Sequence, residues 1–125
     1  IAQIGETPYF TLQEAFNACE DSVETEITII RNINIVQTVE SATVAENKDI
    51  VLNLNGYELS AGNKNTIINK GKLTIKDSSE AETGKLKNTV ENLILLEENG
   101  ELIINNGSYE QTADKDLIIN NIKNN

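Results

Sequence analysis

At 125 residues, 38% hydrophobic, with 20 acidic against 10 basic side chains and a formal net charge of −10, the chain is large enough for one domain with its own core. That charge excludes a counterion-releasing face for nucleic acid or anionic lipid, and no apolar run reaches the roughly 18 residues of a membrane span. With no His and a single Cys, Cys19, neither an internal disulfide nor a Cys/His metal set can form; Cys19 also lacks a His to act as its base and reads as a small core hydrophobe.

The chain starts at Ile1, contains no Met and shows no basic-then-apolar leader, so it is expected to be a processed or excised piece of a longer protein. Pro8 sits in what should be an extended entry segment. One helix follows, over about residues 11–20. Thr11 is its N-cap with Glu14 three residues on, and Leu12, Ala15, Phe16 and Cys19 recur at helical spacing along one face.

After Asp21 the pattern changes to period two, the mark of short strands. Ile27 and Ile29, then Ile33 and Ile35, share a side. Ile50, Leu52 and Leu54 alternate with Val51, Asn53 and Asn55. Leu73 and Ile75 alternate with Lys72, Thr74 and Lys76, and Leu102 and Ile104 face inward in the last clear strand. Turns are written at Asn55-Gly56, Lys70-Gly71, Thr83-Gly84, Asn99-Gly100 and Asn106-Gly107.

The strands also repeat. Gly71-Lys72-Leu73-Thr74-Ile75 aligns with Gly100-Glu101-Leu102-Ile103-Ile104, 29 positions later. Upstream of each, Ile67-Ile68-Asn69 matches Leu95-Leu96-Glu97; Ile118-Ile119-Asn120 opens the pattern again, and Leu52-Asn53-Leu54 is an earlier, more diverged start. Recurrence every few tens of residues is the signature of a solenoid, in which each unit buries its apolar face only against the next. The polar stretch Asp77–Asn92 reads as an insertion looping into solvent, with Leu86 touching down as a short strand. Asn occurs eighteen times. At Asn53, Asn69, Asn105 and Asn120 it either stacks at coil corners, bonding the backbone above and below, or reflects only turn preference and coding bias.

Three blocks in order resemble the right-handed, pectate-lyase-like β-helix domains of bacterial surface proteins. The first is Tyr9, Thr11, Leu12, Glu14 and Ala15. The second is Leu52, Leu54, Asn55, Gly56, Tyr57 and Leu59. The third is Gly71, Leu73, Thr74, Ile75 and Asp77. The resemblance implies an all-β fold, a right-handed parallel β-helix (solenoid) with a short N-terminal capping α-helix. Residues 1–125 would form one domain, with Leu12 and Phe16 pressed into the first rung. "DLIINNIKNN" starts a rung and stops, so a C-terminal truncation from a longer coil is expected, with end-to-end stacking open to the bare rung.

Enzymes on such coils need clustered acids or a base on one outer face. The acidic candidates are Asp77, Glu80 and Glu82, then Glu97, Glu98 and Glu101. Asp77-Ser78-Ser79-Glu80 lacks the spacing of a calcium loop and reads as solvated. Arg31, the only Arg, reads as an outward strand residue paired with an acid. Of Tyr9, Phe10, Phe16, Tyr57 and Tyr109, only Tyr109 is expected at the surface, and one Tyr makes no sugar platform. No catalytic, cofactor-binding or metal-binding residue is therefore assigned. The expected function is a non-enzymatic structural or adhesive module on the bacterial cell surface, extracellular, presenting loops to a surface protein or glycan; nucleic acid and membrane insertion are excluded. The alternative is part of a secreted polysaccharide lyase or hydrolase whose catalytic residues lie beyond Asn125.

Overall fold

A computed structural model describes residues 1–35, 42–62, 64–113 and 118–120, the last three by backbone alone. The chain opens with a hairpin, β1 (Ala2–Ile4) and β2 (Thr7–Tyr9), and then α1 (Leu12–Ala18). Four sets of strands follow: β3 (Thr25–Ile29), β4 (Ile33–Asn34), β5 (Ala42–Val44); β6 (Asp49–Asn53), β7 (Glu58–Ala61), β8 (Ile67–Asn69); β9 (Lys72–Lys76), β10 (Lys85–Asn88), β11 (Ile94–Leu96); β12 (Glu101–Ile104), β13 (Ser108–Gln111), β14 (Ile118–Asn120). Members of successive sets pair in parallel, giving three sheets ordered β12-β9-β6-β3-β1-β2, β13-β10-β7-β4 and β14-β11-β8-β5. The fold is thus a parallel β-solenoid of about three turns, with one short helix near its N-terminus.

Register explains why the alternating pattern folds this way. In the first sheet Ile27, Leu52, Ile75 and Ile104 stack in one column, and Ile50, Leu73 and Leu102 in another. Ile33, Leu59, Leu86 and Tyr109 form the column of the second sheet. Ala42, Ile67 and Ile94 begin that of the third. Ile27, Leu52, Ile75, Ile50, Leu73, Leu59, Leu86, Ile67 and Ile94 are fully buried. At roughly 1.5–3 kcal/mol for each large aliphatic chain buried, these columns are the main favourable contribution to folding.

The repeat Gly71–Ile75 over Gly100–Ile104 holds: Leu73 pairs with Leu102 and Ile75 with Ile104. The upstream match is off by one. Ile67-Ile68-Asn69 pairs with Ile94-Leu95-Leu96, and Leu96 with Asn120, because the corner before β12 holds two more residues than the corner before β9. The earlier counterpart of β8 is Ala42-Thr43-Val44, since Leu52 belongs to the sheet of Leu73 and Ile75. The expected insertion also shrinks. Asp77–Gly84 is a long corner, but Lys85–Asn88 is a regular strand, paired on both sides, with Leu86 fully buried.

The N-terminal end is closed by three devices. The helix buries Leu12, Ala15, Phe16 and Cys19 in the same core cluster as the columns. The Thr11 hydroxyl accepts the Glu14 N–H at 3.0 Å, the expected N-cap bond. Gln13 treats the edge of β5 as a strand would: its Oε1 accepts the Thr43 N–H at 2.7 Å and its Nε2 donates to the Thr43 carbonyl at 3.0 Å. The hairpin, whose β1 the sequence reading did not foresee, runs antiparallel along β3. Pro8, lacking an N–H, lies in the outermost strand, where its missing donor costs least.

Phe16 is 1% exposed and joins the cap to the columns. Phe16→Ala is expected to cost about 3–5 kcal/mol in urea unfolding, the usual range for emptying an aromatic core site. A loss under 1 kcal/mol would show that the helix is not holding the end.

Candidate functional site

The corner between β9 and β10 is built around Asp77. Its carboxylate is 5% exposed and collects four donors. Oδ1 accepts the Gly56 N–H at 2.9 Å, the Ser79 N–H at 3.1 Å and the Ser79 hydroxyl at 2.8 Å. Oδ2 accepts the Gly84 N–H at 2.7 Å. A Cβ on Gly84 would lie 2.6 Å from the Asp77 carboxyl carbon, so only Gly lets this N–H come so near. Burial by itself raises the Asp77 pKa, but the Ser79 hydroxyl and the N–H groups of Ser79, Gly84 and Gly56 reverse it and hold the group below its ordinary value.

Asn106 ties the same corner to the next turn. Its Oδ1 accepts the Asp77 N–H and its Nδ2 donates to the Asp77 carbonyl, both at 2.8 Å. Tyr109 closes the lower side, its hydroxyl donating to the Asn106 carbonyl at 2.8 Å. Desolvation, with the Asp77 charge behind it, pushes the Tyr109 pKa up to about 12. Above this frame Glu80, Ala81, Glu82 and Thr83 are exposed, with Glu82 in a left-handed conformation at φ 55°. The result is a fixed base under a solvent-facing acidic tip.

Several expectations are corrected by this geometry. Asp77 is a buried acceptor, not a solvated carboxylate, although Glu80 and Glu82 are exposed as expected. Tyr109 is half-buried against the core, not exposed; the exposed aromatic is Phe10, at 86%. Arg31 lies in the corner between β3 and β4, not in a strand, and makes no ion pair among the described residues. With Ile1, Pro8, Tyr9, Phe10 and Ile30 it lines a shallow apolar groove. Cys19 is buried, as a core hydrophobe should be, and burial pushes its thiol pKa up, against the Thr25 hydroxyl and the Lys48 charge.

The two acidic sets do not converge. Asp77, Glu80 and Glu82 belong to the corner before β10. Glu97 and Glu98 belong to the corner before β12, and Glu101 to the start of that strand. At the latter corner Glu46, Lys70, Glu97 and Glu98 line a polar cleft, with lysines interleaved among the acids. Among the described residues, no group of three or more acids or Cys is arranged to hold a metal ion. On the outer face of the first sheet, Glu26 pairs with Lys76 at 2.6 Å and Asn53 reaches Glu26 at 3.4 Å, spanning three turns. The Lys76 bond, helped by Asn53, lowers the Glu26 pKa against its desolvation.

The Asn question is decided in favour of bonding between turns. Asn53 bonds Ser78, Asn55 bonds the Ile29 carbonyl, Asn69 the Glu101 carbonyl and Asn88 the Lys64 carbonyl. Like-on-like stacking occurs at Asn65 and Asn92, at 3.2 Å. Asn105 is exposed, and the side chain of Asn120 lies outside the described residues.

Comparison with known proteins adds no relative: no family model, no curated protein and no solved structure matches this chain.

Because the folded Asp77 pKa lies below its ordinary 3.8, its contribution is complete above that pH and is lost as pH falls through the folded value. Asp77→Asn should cost about 1.5–3 kcal/mol in denaturant unfolding near neutral pH, the scale of hydrogen bonds to a charged acceptor. The gap between variant and parent should narrow steadily as the pH is taken below 3.8. A gap independent of pH would show that the charge is not what holds the corner.

Proposed function

We propose that this chain is a non-enzymatic display module: a stiff segment of a pectate-lyase-like β-helix from an extracellular bacterial surface protein, which presents an outward loop to a protein or glycan partner. The observation that carries the reading is the corner Asp77–Gly84. It is eight residues long, whereas the equivalent corners before β7 and β13 hold four and three. The extra residues do not enter the core. They stand on a carboxylate with four donors, so the tip meets a partner with little ordering cost left to meet. A rod of stacked columns below and a fixed acidic loop at one corner suit recognition of a basic or hydroxyl-rich surface better than chemistry on a substrate.

Brief proteolytic shaving of intact source cells, followed by mass spectrometry, is the test. Peptides spanning the exposed 79–83 segment should be among the first released, together with peptides from other parts of a cell-attached parent. Recovery of this chain only from the cell interior would overturn the proposal.

A further inference from the structure

The two ends of the coil are unlike. At the N-terminal end the hairpin lies along β3, α1 covers the core, Gln13 occupies both backbone groups of Thr43, and Pro8 withholds a donor in the last strand. At the other end β12, β13 and β14 are the outermost strands of their sheets. The column of Ile27, Leu52 and Ile75, each fully buried, ends in Ile104 at 41% exposed. The neighbouring outward column reads Glu26, Val51, Thr74 and then Ile103, which is 44% exposed. Ile103 points away from the solenoid's own core, so the fold of one chain does not account for it.

We propose that two copies of this chain join tail to tail through this end, about a twofold axis that crosses the first sheet at Ile103. The closed N-terminal end bars head-to-tail growth, which leaves the two open ends to meet each other. A twofold perpendicular to the coil reverses strand direction, so β12 of one copy pairs antiparallel with β12 of the other. With the axis at Ile103, Ile103 faces Ile103, Leu102 faces Ile104, and Glu101 faces Asn105.

This register alone satisfies both charge and parity. A shift of half a residue pair sets inward side chains opposite outward ones. Centring on Leu102 sets Glu101 against Ile103, and centring on Glu101 sets two carboxylates face to face. The rotation also lays β13 of each copy beside β14 of the other. All three open edges are then paired at once, and the assembly closes as a dimer instead of growing. The interface continues the contact already made between successive turns: apolar columns extended by one more layer, with backbone hydrogen bonds at the rim.

Sedimentation equilibrium of the 125-residue chain tests this. The expected mass is twice the 13.8 kDa of one chain. Ile103→Lys should be a monomer at concentrations where the parent is a dimer, with an unchanged far-UV spectrum because the side chain lies outside the core. Thr74→Lys, on the same outward column one turn earlier, should remain a dimer. Under mild oxidation Ile103→Cys should cross-link between copies, since directly opposed residues have Cα atoms about 4.5–5.5 Å apart, within disulfide reach. Glu101→Cys should not. A parent that stays monomeric, a ladder of larger species, a dimer that survives Ile103→Lys, or equal cross-linking at positions 101 and 103 would each overturn the proposal.

Discussion

Each turn of this coil has an apolar face that only the next turn can cover. The hydrophobic effect therefore acts along the axis, between residues such as Ile27, Leu52 and Ile75 that stand one above another in register. A globular core is surrounded by its own elements, but here burial is borrowed from neighbours. Hence the interior turns hold side chains of zero exposure while the same column opens to water at Ile104. It also explains why so much of the first twenty residues is devoted to closing one end: a helix, a hairpin and a glutamine that imitates backbone are all directed at the first turn.

The corners pose a second problem. Between strands the backbone leaves the sheet, and its N–H and C=O groups need partners that the ladder no longer supplies. Asn and Asp side chains supply them. Asn69 accepts from the Gly71 N–H and donates one turn on to Glu101, Asn88 accepts from Val90 and Glu91, and Asp77 gathers Gly56, Ser79 and Gly84. Among the described residues no buried side-chain N or O atom is left without a partner. The abundance of Asn is thus a structural requirement of tight corners. At Gly71 the crowding is such that a Cβ would lie 2.3 Å from the Ala45 carbonyl oxygen of the previous turn.

Much of this was legible in the sequence because it is written locally. Thr11 and Glu14 mark the helix start, and clean alternation in Lys72–Lys76 fixes both strand and inward face. The register of β9 and β12 followed from a Gly immediately before each. Leu93, Ile94, Leu95 and Leu96 are all apolar, so they carry no parity, and the reading slipped by one there. The role of Asp77 was invisible for another reason. Apart from Ser79, its partners stand 21, 7 and 29 residues away at Gly56, Gly84 and Asn106, and nothing in "DSSEAET" announces them. Phe10 and Arg31 share a groove only because the hairpin folds back beside the corner before β4, a meeting no motif encodes. The hairpin did have a signal, two residues of Gly5-Glu6 between Ile4 and Thr7, but its strands are too short for period two to show.

The Asp77 corner separates two kinds of residue that most loops mix. Those that hold it in place, Asp77, Ser79, Gly84 and Asn106, are distinct from those it offers to solvent, Glu80, Ala81 and Glu82. Selection can therefore rewrite the tip without disturbing the stem, and the stem can be kept constant while the tip follows a changing counterpart. Such a division of labour makes the corner a natural place for sequence to diversify, and equally a seat onto which a foreign peptide can be grafted with both its ends already fixed.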